Sequence, residues 1–104
     1  MSPMHDLRFV TAGELDGLRR GGTVVVAFLA TWNRRCQAYA PRYREFAARH
    51  GAKVAVVCVD VDEASAVAAA YDVCSVPTVI LLEAGIEAYR EVGLELAALE
   101  ARLG

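Results

Sequence analysis

The residues best suited to chemistry stand together in the stretch ATWNRRC, which ends at Cys36. Cys36 supplies a sulfur, and Trp32 supplies a large aromatic surface. Two positive charges, Arg34 and Arg35, immediately precede the sulfur. The apolar pattern becomes helical at Asn33, which places Cys36 in the first turn of a helix. The helix dipole and the arginines favour a thiolate there, and the thiolate is the nucleophilic form of cysteine.

The segments around this stretch predict the elements that must position it. Residues 23–30, TVVVAFLA, are β-branched and nearly all apolar, which predicts a strand buried on both faces in the middle of a sheet. Residues 33–50 carry apolar side chains at helical spacing and stop at Gly51. Pro41 is expected to interrupt and kink this helix.

The rest of the chain predicts six more elements. A capping box, Thr11 to Glu14, opens a first helix that stops at Gly21. Then come, in chain order, a strand over 53–61, a short helix capped by Asp62 and reaching about Tyr71, a strand over 75–82, a hairpin strand over 87–92, and a last helix striped by Leu96, Leu99 and Leu103. The alternation predicts parallel strands joined by right-handed crossovers, an antiparallel edge from the hairpin, and helices on both faces of the sheet.

Length and charge exclude several classes of protein. The 104 residues suit one domain over residues 1–104, and the net charge of −2 comes with mixed acidic and basic residues, so we expect no nucleic-acid partner. No apolar run approaches the roughly 18 residues of a membrane span, so we expect no membrane partner. The start has no basic region followed by an apolar stretch, which favours a cytoplasmic protein.

Cysteine and histidine usage predicts neither a disulfide framework nor a metal site. The three cysteines are an odd number in a chain without an export signal, so free thiols are expected. His5 and His50 have no companions at metal-ligand spacing. We therefore expect no metal and no cofactor.

Three features in this order make the chain resemble the thioredoxin family over essentially its whole length. An aromatic-X-X-X-Cys stretch, Trp32 to Cys36, closes a buried strand and opens a helix. Pro41 lies five residues past Cys36, and SVPT, with Pro77, precedes the hairpin. Gly93 follows it. The resemblance implies an α/β thioredoxin fold, with a central mixed β-sheet of about four to five strands flanked by four helices.

The resemblance also implies roles for single residues. Trp32 and Cys36 match the two ends of the family's Trp-Cys-Gly-Pro-Cys motif. Cys36 would be the second cysteine, which resolves mixed disulfides, and it would be buried. Pro77 matches the cis-proline beside the active site, and a client's backbone would pair with Val76 before it. Gly93 matches a glycine lining the same groove.

The departures from the family motif concern the chemistry itself. Asn33 replaces the nucleophilic cysteine, and Arg34 and Arg35 replace Gly-Pro. Ala27 replaces the family's buried aspartate, and Cys58 replaces the lysine that partners it. An amide is neither ionisable nor nucleophilic at neutral pH, although Asn is among the best N-cap residues. Dithiol reductase activity is therefore expected to be impaired or absent.

Each singled-out side chain also has an interpretation that involves packing alone. Cys36 is either a reactive thiol or a small buried residue, and Cys58 lies among valines and suits core packing. Cys74 precedes SVPT and is a replacement partner for Cys36, an exposed redox thiol, or an ordinary thiol. Trp32 either contacts a client or covers the core.

The arginine pair has two interpretations as well. Arg34 and Arg35 either meet an acidic or phosphorylated partner or point away as solvated side chains. Cations at a helix start oppose the helix dipole, so two arginines at this position are unfavourable for the helix itself.

Two functions remain open on sequence alone. In the first, Cys36 forms a reversible mixed disulfide with a client protein or a small thiol, and glutathione or another protein resolves it. In the second, a groove around Trp32, Val76, Pro77 and Gly93 holds a polypeptide without electron exchange, as in a co-chaperone-like module. In both, the partner lies at the groove between Trp32 and Pro77.

Overall fold

The computed structural model describes Met4, residues 6–93 and residues 95–103, so His5 lies outside the described residues. The described elements follow the predicted order of helices and strands. They are α1 (Ala12–Arg20), β1 (Thr23–Leu29), α2 (Arg34–His50), β2 (Ala55–Asp60), α3 (Ser65–Ala70), β3 (Thr78–Glu83), β4 (Ile86–Val92) and α4 (Ala97–Leu103).

The four described strands form one mixed sheet in the order β2-β1-β3-β4. β1 pairs parallel with β2 and antiparallel with β3, and β3 pairs antiparallel with β4. All of β1 beyond Thr23 is buried, so the prediction of a central strand is confirmed. Its continuous apolar run has no exposed face that would require alternate polar residues.

The prediction of parallel strands for the alternating first part of the chain did not fix the direction of β3, which runs antiparallel to β1. Thr78, at the start of β3, lies beside Phe28, and Asp60, at the end of β2, lies beside Leu29. The chain therefore enters β3 at the edge of the sheet where it leaves β2. α3 has only six residues and spans about 9 Å, about half the length of a strand of about 20 Å, so this helix by itself does not return the chain to the opposite edge.

Two apolar layers hold the helices on opposite faces of the sheet. One layer joins α2 and α4 to the sheet, and it includes Tyr39, Tyr43, Phe46, Leu96 and Leu99. The other joins α1 and α3 through Leu15 and Ala68. Helices on both faces were predicted, and the prediction is confirmed.

α2 runs through Pro41 as one continuous helix, so the interruption that the sequence predicts is not observed, and the kink stays a prediction. Pro41 is exposed, whereas Tyr39 and Ala40 before it and Tyr43 after it are buried against the sheet. Packing on both sides of the proline keeps the two halves in one helix although Pro41 donates no backbone hydrogen bond.

In the described part of the chain, no helix combines the length and apolarity needed to cross a membrane.

The sequence predicted that Asp62 caps α3, and the structure shows that it does not. The N-cap of α3 is Ala64, and no described side chain caps this helix start with a hydrogen bond. The carboxylate of Asp60 instead accepts the backbone N–H of Asp62 at 2.9 Å. The Asp62 carboxylate accepts the indole N–H of Trp32. The Asp62 side chain therefore contacts the loop after β1 and does not cap α3.

The capping box at the start of α1 allows a stability test. The Thr11 hydroxyl accepts the N–H of Glu14 at 3.2 Å, and the Glu14 carboxylate accepts the N–H of Thr11 at 2.9 Å. We expect Thr11→Ala to lower the free energy of unfolding by about 1 kcal/mol, because the hydroxyl acceptor is lost. Urea unfolding measures the change. Thr11→Ser keeps the acceptor and should match the native protein, so an equal loss in both variants would contradict the assignment.

Candidate functional site

Asn33 fixes the junction between β1 and α2. Its side-chain Oδ1 accepts the N–H of Cys36 at 3.1 Å, and its own N–H donates to the carbonyl of Ala30 at 3.1 Å. Asn33 is therefore the N-cap of α2, in extended backbone conformation. The residue that stands in place of the first sulfur thus supplies an effective start for the helix.

The Cys36 sulfur points into the core and has no exposed surface. Its Sγ accepts the backbone N–H of Ala30 at 3.4 Å. Burial raises the pKa of the Cys36 thiol, and this effect exceeds the opposite effects of the Ala30 hydrogen bond and the Arg35 charge. The net rise in the pKa favours the protonated thiol over the thiolate.

The core beneath this sulfur has no carboxylate–amine pair. Ala27 and Cys58 are cross-strand partners, and both are fully buried. Burial also raises the pKa of the Cys58 thiol well above its ordinary value. The hydroxyl of Tyr39 is buried nearby and has no hydrogen-bond partner among the described residues. This hydroxyl was missed at the sequence level because Tyr39 belongs to the apolar stripe of α2.

Pro77 and Gly93 form the facing wall of the site. The Val76–Pro77 peptide bond is cis, and the N–H of Gly93 donates to the carbonyl of Pro77 at 3.0 Å. Pro77 is buried, and Val76 is half-buried against the core. Gly93 has a φ of 112°, a backbone conformation that side-chain-bearing residues rarely adopt.

Two side chains hold the loop that leads into this wall. The hydroxyl of Thr78 donates to the carbonyl of Ser75 at 2.7 Å. The guanidinium of Arg90 on β4 donates to the carbonyls of Tyr71 and Asp72, the latter at 3.1 Å. The backbone before Val76 is therefore fixed from β3 and from β4.

The two arginines at the start of α2 lie on the solvent side. Arg34 and Arg35 are exposed, and neither forms an ion pair with another described residue. A Cβ built on Gly93 would lie 3.8 Å from Nη2 of Arg35. The Arg35 guanidinium therefore approaches the wall formed by Gly93 and Pro77, and the structure brings these predicted residues together.

Trp32 is exposed and does not cover the core. Its side chain is 68% exposed, and its Nε1–H donates to the Asp62 carboxylate at 2.6 Å. The role of Asp62 beside Trp32 was not predicted, because an acidic residue before a short helix also fits an N-cap. Val92 is another omission: it lies opposite Thr78, is 58% exposed, and adds apolar surface beside Pro77.

A separate cavity lies between the starts of α1 and α3. It has a volume of about 560 Å³, and none of the predicted site residues lines it. Its walls include Phe9, Val10, Thr31, Asp60 and Val67. The cavity is therefore distinct from the site around Cys36 and Pro77.

Comparisons with known proteins agree on one family. Residues 16–103 match the sequence model of the family Thioredoxin. This chain belongs to the thioredoxin family. A thioredoxin of Staphylococcus aureus is 36% identical over 86 residues, which cover 83% of this chain and 83% of that protein.

Solved thioredoxins also share the fold. A mutant thioredoxin from Halobacterium salinarum NRC-1 matches with a TM-score of 0.81 and 34% identity, covering 91% of this chain and 85% of the other. The Plasmodium falciparum thioredoxin matches with a TM-score of 0.84 and 29% identity, covering 93% of this chain and 96% of the other. The predicted thioredoxin fold and family are therefore confirmed.

The three cysteines of this thioredoxin-family chain are free thiols in different surroundings. Cys36 and Cys58 are buried, whereas Cys74 is exposed. Cys74 directs its thiol to the carbonyl of Asp72 at 3.7 Å, a local contact within its own loop. No disulfide joins Cys74 to Cys36, so a resolving role for Cys74 stays a prediction.

The cap at Asn33 gives a second stability prediction. We expect Asn33→Ala to lower the free energy of unfolding by about 1 kcal/mol, because the Cys36 N–H loses its acceptor. Asn33→Asp retains an acceptor and adds a negative charge at the helix start, so it should be at least as stable as the native protein. Urea unfolding of both variants tests this, and a loss in Asn33→Asp equal to that in Asn33→Ala would contradict the cap.

Burial of the sulfurs predicts how the native thiols react. At about pH 8, iodoacetamide should alkylate Cys74 at least about tenfold faster than Cys36 or Cys58, because only Cys74 is exposed and the other two have raised pKa values. Peptide mass spectrometry resolves the three sites. All three should react alike in denaturant, which provides the control. Rapid native labelling of Cys36 would contradict the buried, protonated thiol.

Proposed function

We propose that this thioredoxin-family protein binds an extended polypeptide segment at the groove between Trp32 and Pro77 and has impaired or absent dithiol reductase activity. The observation that carries the proposal is the burial of Cys36, the one sulfur at the start of α2. A client disulfide must reach a sulfur to exchange with it. At the position of the first cysteine of the family motif, this chain has the amide of Asn33.

The reduction of a disulfide requires two sulfurs in one site. A first thiolate attacks one sulfur of the client, forms a mixed disulfide and releases the other client sulfur as a thiolate. A second thiol of the site then attacks the site's first sulfur in the mixed disulfide, which yields an intramolecular disulfide and the reduced client. Asn33 cannot take the first step, and Cys36 alone cannot complete both. The residues therefore support binding better than turnover.

The wall opposite α2 supports a polypeptide as the bound molecule. The family resemblance implies that the residue before the cis-proline pairs with a client backbone, and here that residue is Val76. Trp32, just before α2, and Val92, at the end of β4, add exposed apolar surface. An extended segment could thus combine backbone pairing at Val76 with apolar contacts on both sides.

Single-thiol chemistry at Cys36 is the second candidate. It is supported by the Ala30 N–H and the Arg35 charge, both of which lower the pKa of the Cys36 thiol. In this scheme the Cys36 thiolate attacks a client disulfide, forms a mixed disulfide and releases the other client sulfur as a thiolate. A thiolate of glutathione or another protein then attacks the client sulfur of the mixed disulfide, forms a new disulfide with it and frees Cys36. Burial opposes the scheme, because the thiolate would have to form without solvent contact. The cytoplasmic location remains a prediction that suits either candidate.

A disulfide-reduction assay with a protein substrate and dithiothreitol tests the proposal. We expect the native protein to give no more than the uncatalysed rate, because the site lacks an exposed nucleophilic sulfur. Asn33→Cys restores that sulfur beside Cys36 and should raise the rate measurably. The rate should stay below that of an intact thioredoxin, since Ala27 stands where the family has an aspartate.

Asn33→Ser is the matched control for this assay. It offers a small polar N-cap without a sulfur and should remain inactive. Native turnover close to that of an intact thioredoxin would refute the impaired-reductase proposal. Capture of a mixed disulfide that is lost in Cys36→Ala and released by reductant would instead establish the single-thiol candidate.

A further inference from the structure

We propose that the groove beside Pro77 prefers an acidic extended segment, one with aspartate or glutamate side chains next to its apolar residues. The inference rests on the proposed polypeptide binding and specifies the chemistry of the partner. It follows from the arrangement of two exposed arginines, two exposed apolar side chains and the backbone of the cis-proline wall.

Arg34 and Arg35 are available to a ligand. Several other arginines on the described surface are paired with carboxylates: Arg19 and Arg20 with Asp16, Arg44 with Asp6, Arg49 with Glu100, and Arg90 with Glu87. Arg34 and Arg35 are exposed and have no such partner among the described residues. A guanidinium presents its donors in a planar fork that matches a carboxylate.

The position of Arg35 ties this charge to the groove. Its Nη2 lies 3.8 Å from the point where a Cβ of Gly93 would stand, and Gly93 bonds through its N–H to Pro77. A segment lying along Val76 would therefore pass within reach of a guanidinium. Because Gly93 has no side chain, nothing from that residue shields Arg35 from the bound segment.

Two acidic residues near the groove accept hydrogen bonds from neutral donors, which do not cancel a carboxylate's charge. The Asp62 carboxylate accepts the indole N–H of Trp32, and the Glu91 carboxylate accepts the hydroxyl of Tyr89. The protein as a whole has a net charge of −2, so a general attraction for anions cannot account for acidic binding. Any preference for an acidic segment must come from the local arginine pair.

Peptide binding tests the inference directly. The probe is a fluorescent peptide with a Val-Thr-Val centre flanked on each side by two glutamates, compared with the same peptide carrying glutamines. Fluorescence anisotropy gives the affinities, and backbone amide shifts of Val76 and Gly93 locate the site. We expect the glutamate peptide to bind about fivefold more tightly at about 0.05 M salt, and the difference to shrink at about 0.5 M.

Matched variants assign the preference to the arginine pair. Arg34→Gln/Arg35→Gln removes two positive charges and should abolish the preference while still binding the glutamine peptide. Lys53→Glu changes the net charge by the same two units beyond the far end of α2, about 25 Å along the helix, and should keep the preference. Unchanged preference in the double variant, with normal urea unfolding, would overturn the inference.

The remaining outcomes separate the two proposals. Equal binding of both peptides with shifts at Val76 and Gly93 would leave the proposed function standing and overturn the acidic preference. Absence of both binding and shifts would contradict the proposed function, and the inference would fail with it. A third peptide carries phosphoserine in place of each glutamate. Binding of this peptide alone would identify phosphate as the ligand and overturn the assignment to carboxylates.

Discussion

The position of one sulfur behind the N-terminus of α2 determines what the rest of this site can do. Asn33 bonds the Cys36 N–H, and the Ala30 N–H bonds the Cys36 sulfur, so the turn and the helix start hold the thiol inward. A helix N-terminus normally favours a thiolate, but a thiolate also needs solvent or a compensating charge. Here burial is the larger effect on the pKa of the Cys36 thiol.

The residues around the sulfur are consistent with this outcome. The cross-strand pair Ala27 and Cys58 leaves the adjoining core without a carboxylate or an amine that could move a proton. Such a core can be packed by apolar contacts alone, without the desolvation cost of a buried ion pair. The Tyr39 hydroxyl is the exception, because it is buried without a partner among the described residues. The site thus keeps the architecture of its family around an interior that is almost wholly apolar.

The sequence predicts the strands and helices well because each pattern reports a local environment. The apolar run in β1 indicates burial on both faces, and the capping box indicates the start of α1. The direction of β3 depends on how far α3 carries the chain, which no periodicity reveals. Asp62 is ambiguous for a similar reason: a carboxylate before a helix suits a cap, but a contact with Trp32, thirty residues away in the chain, decides its role.

The two positive charges at the start of α2 bear on the proposed acidic partner through one physical argument. Two cations at a helix N-terminus oppose the dipole and cost about 0.3–1 kcal/mol each when they lie close to it. Within the described part of the chain no carboxylate pairs with Arg34 or Arg35 to offset this cost. A bound carboxylate would offset it, because the arginines would then face a negative charge. Under the proposed function, a helix start without a nucleophilic cysteine has no thiolate to stabilise, so its two charges are free to select a partner.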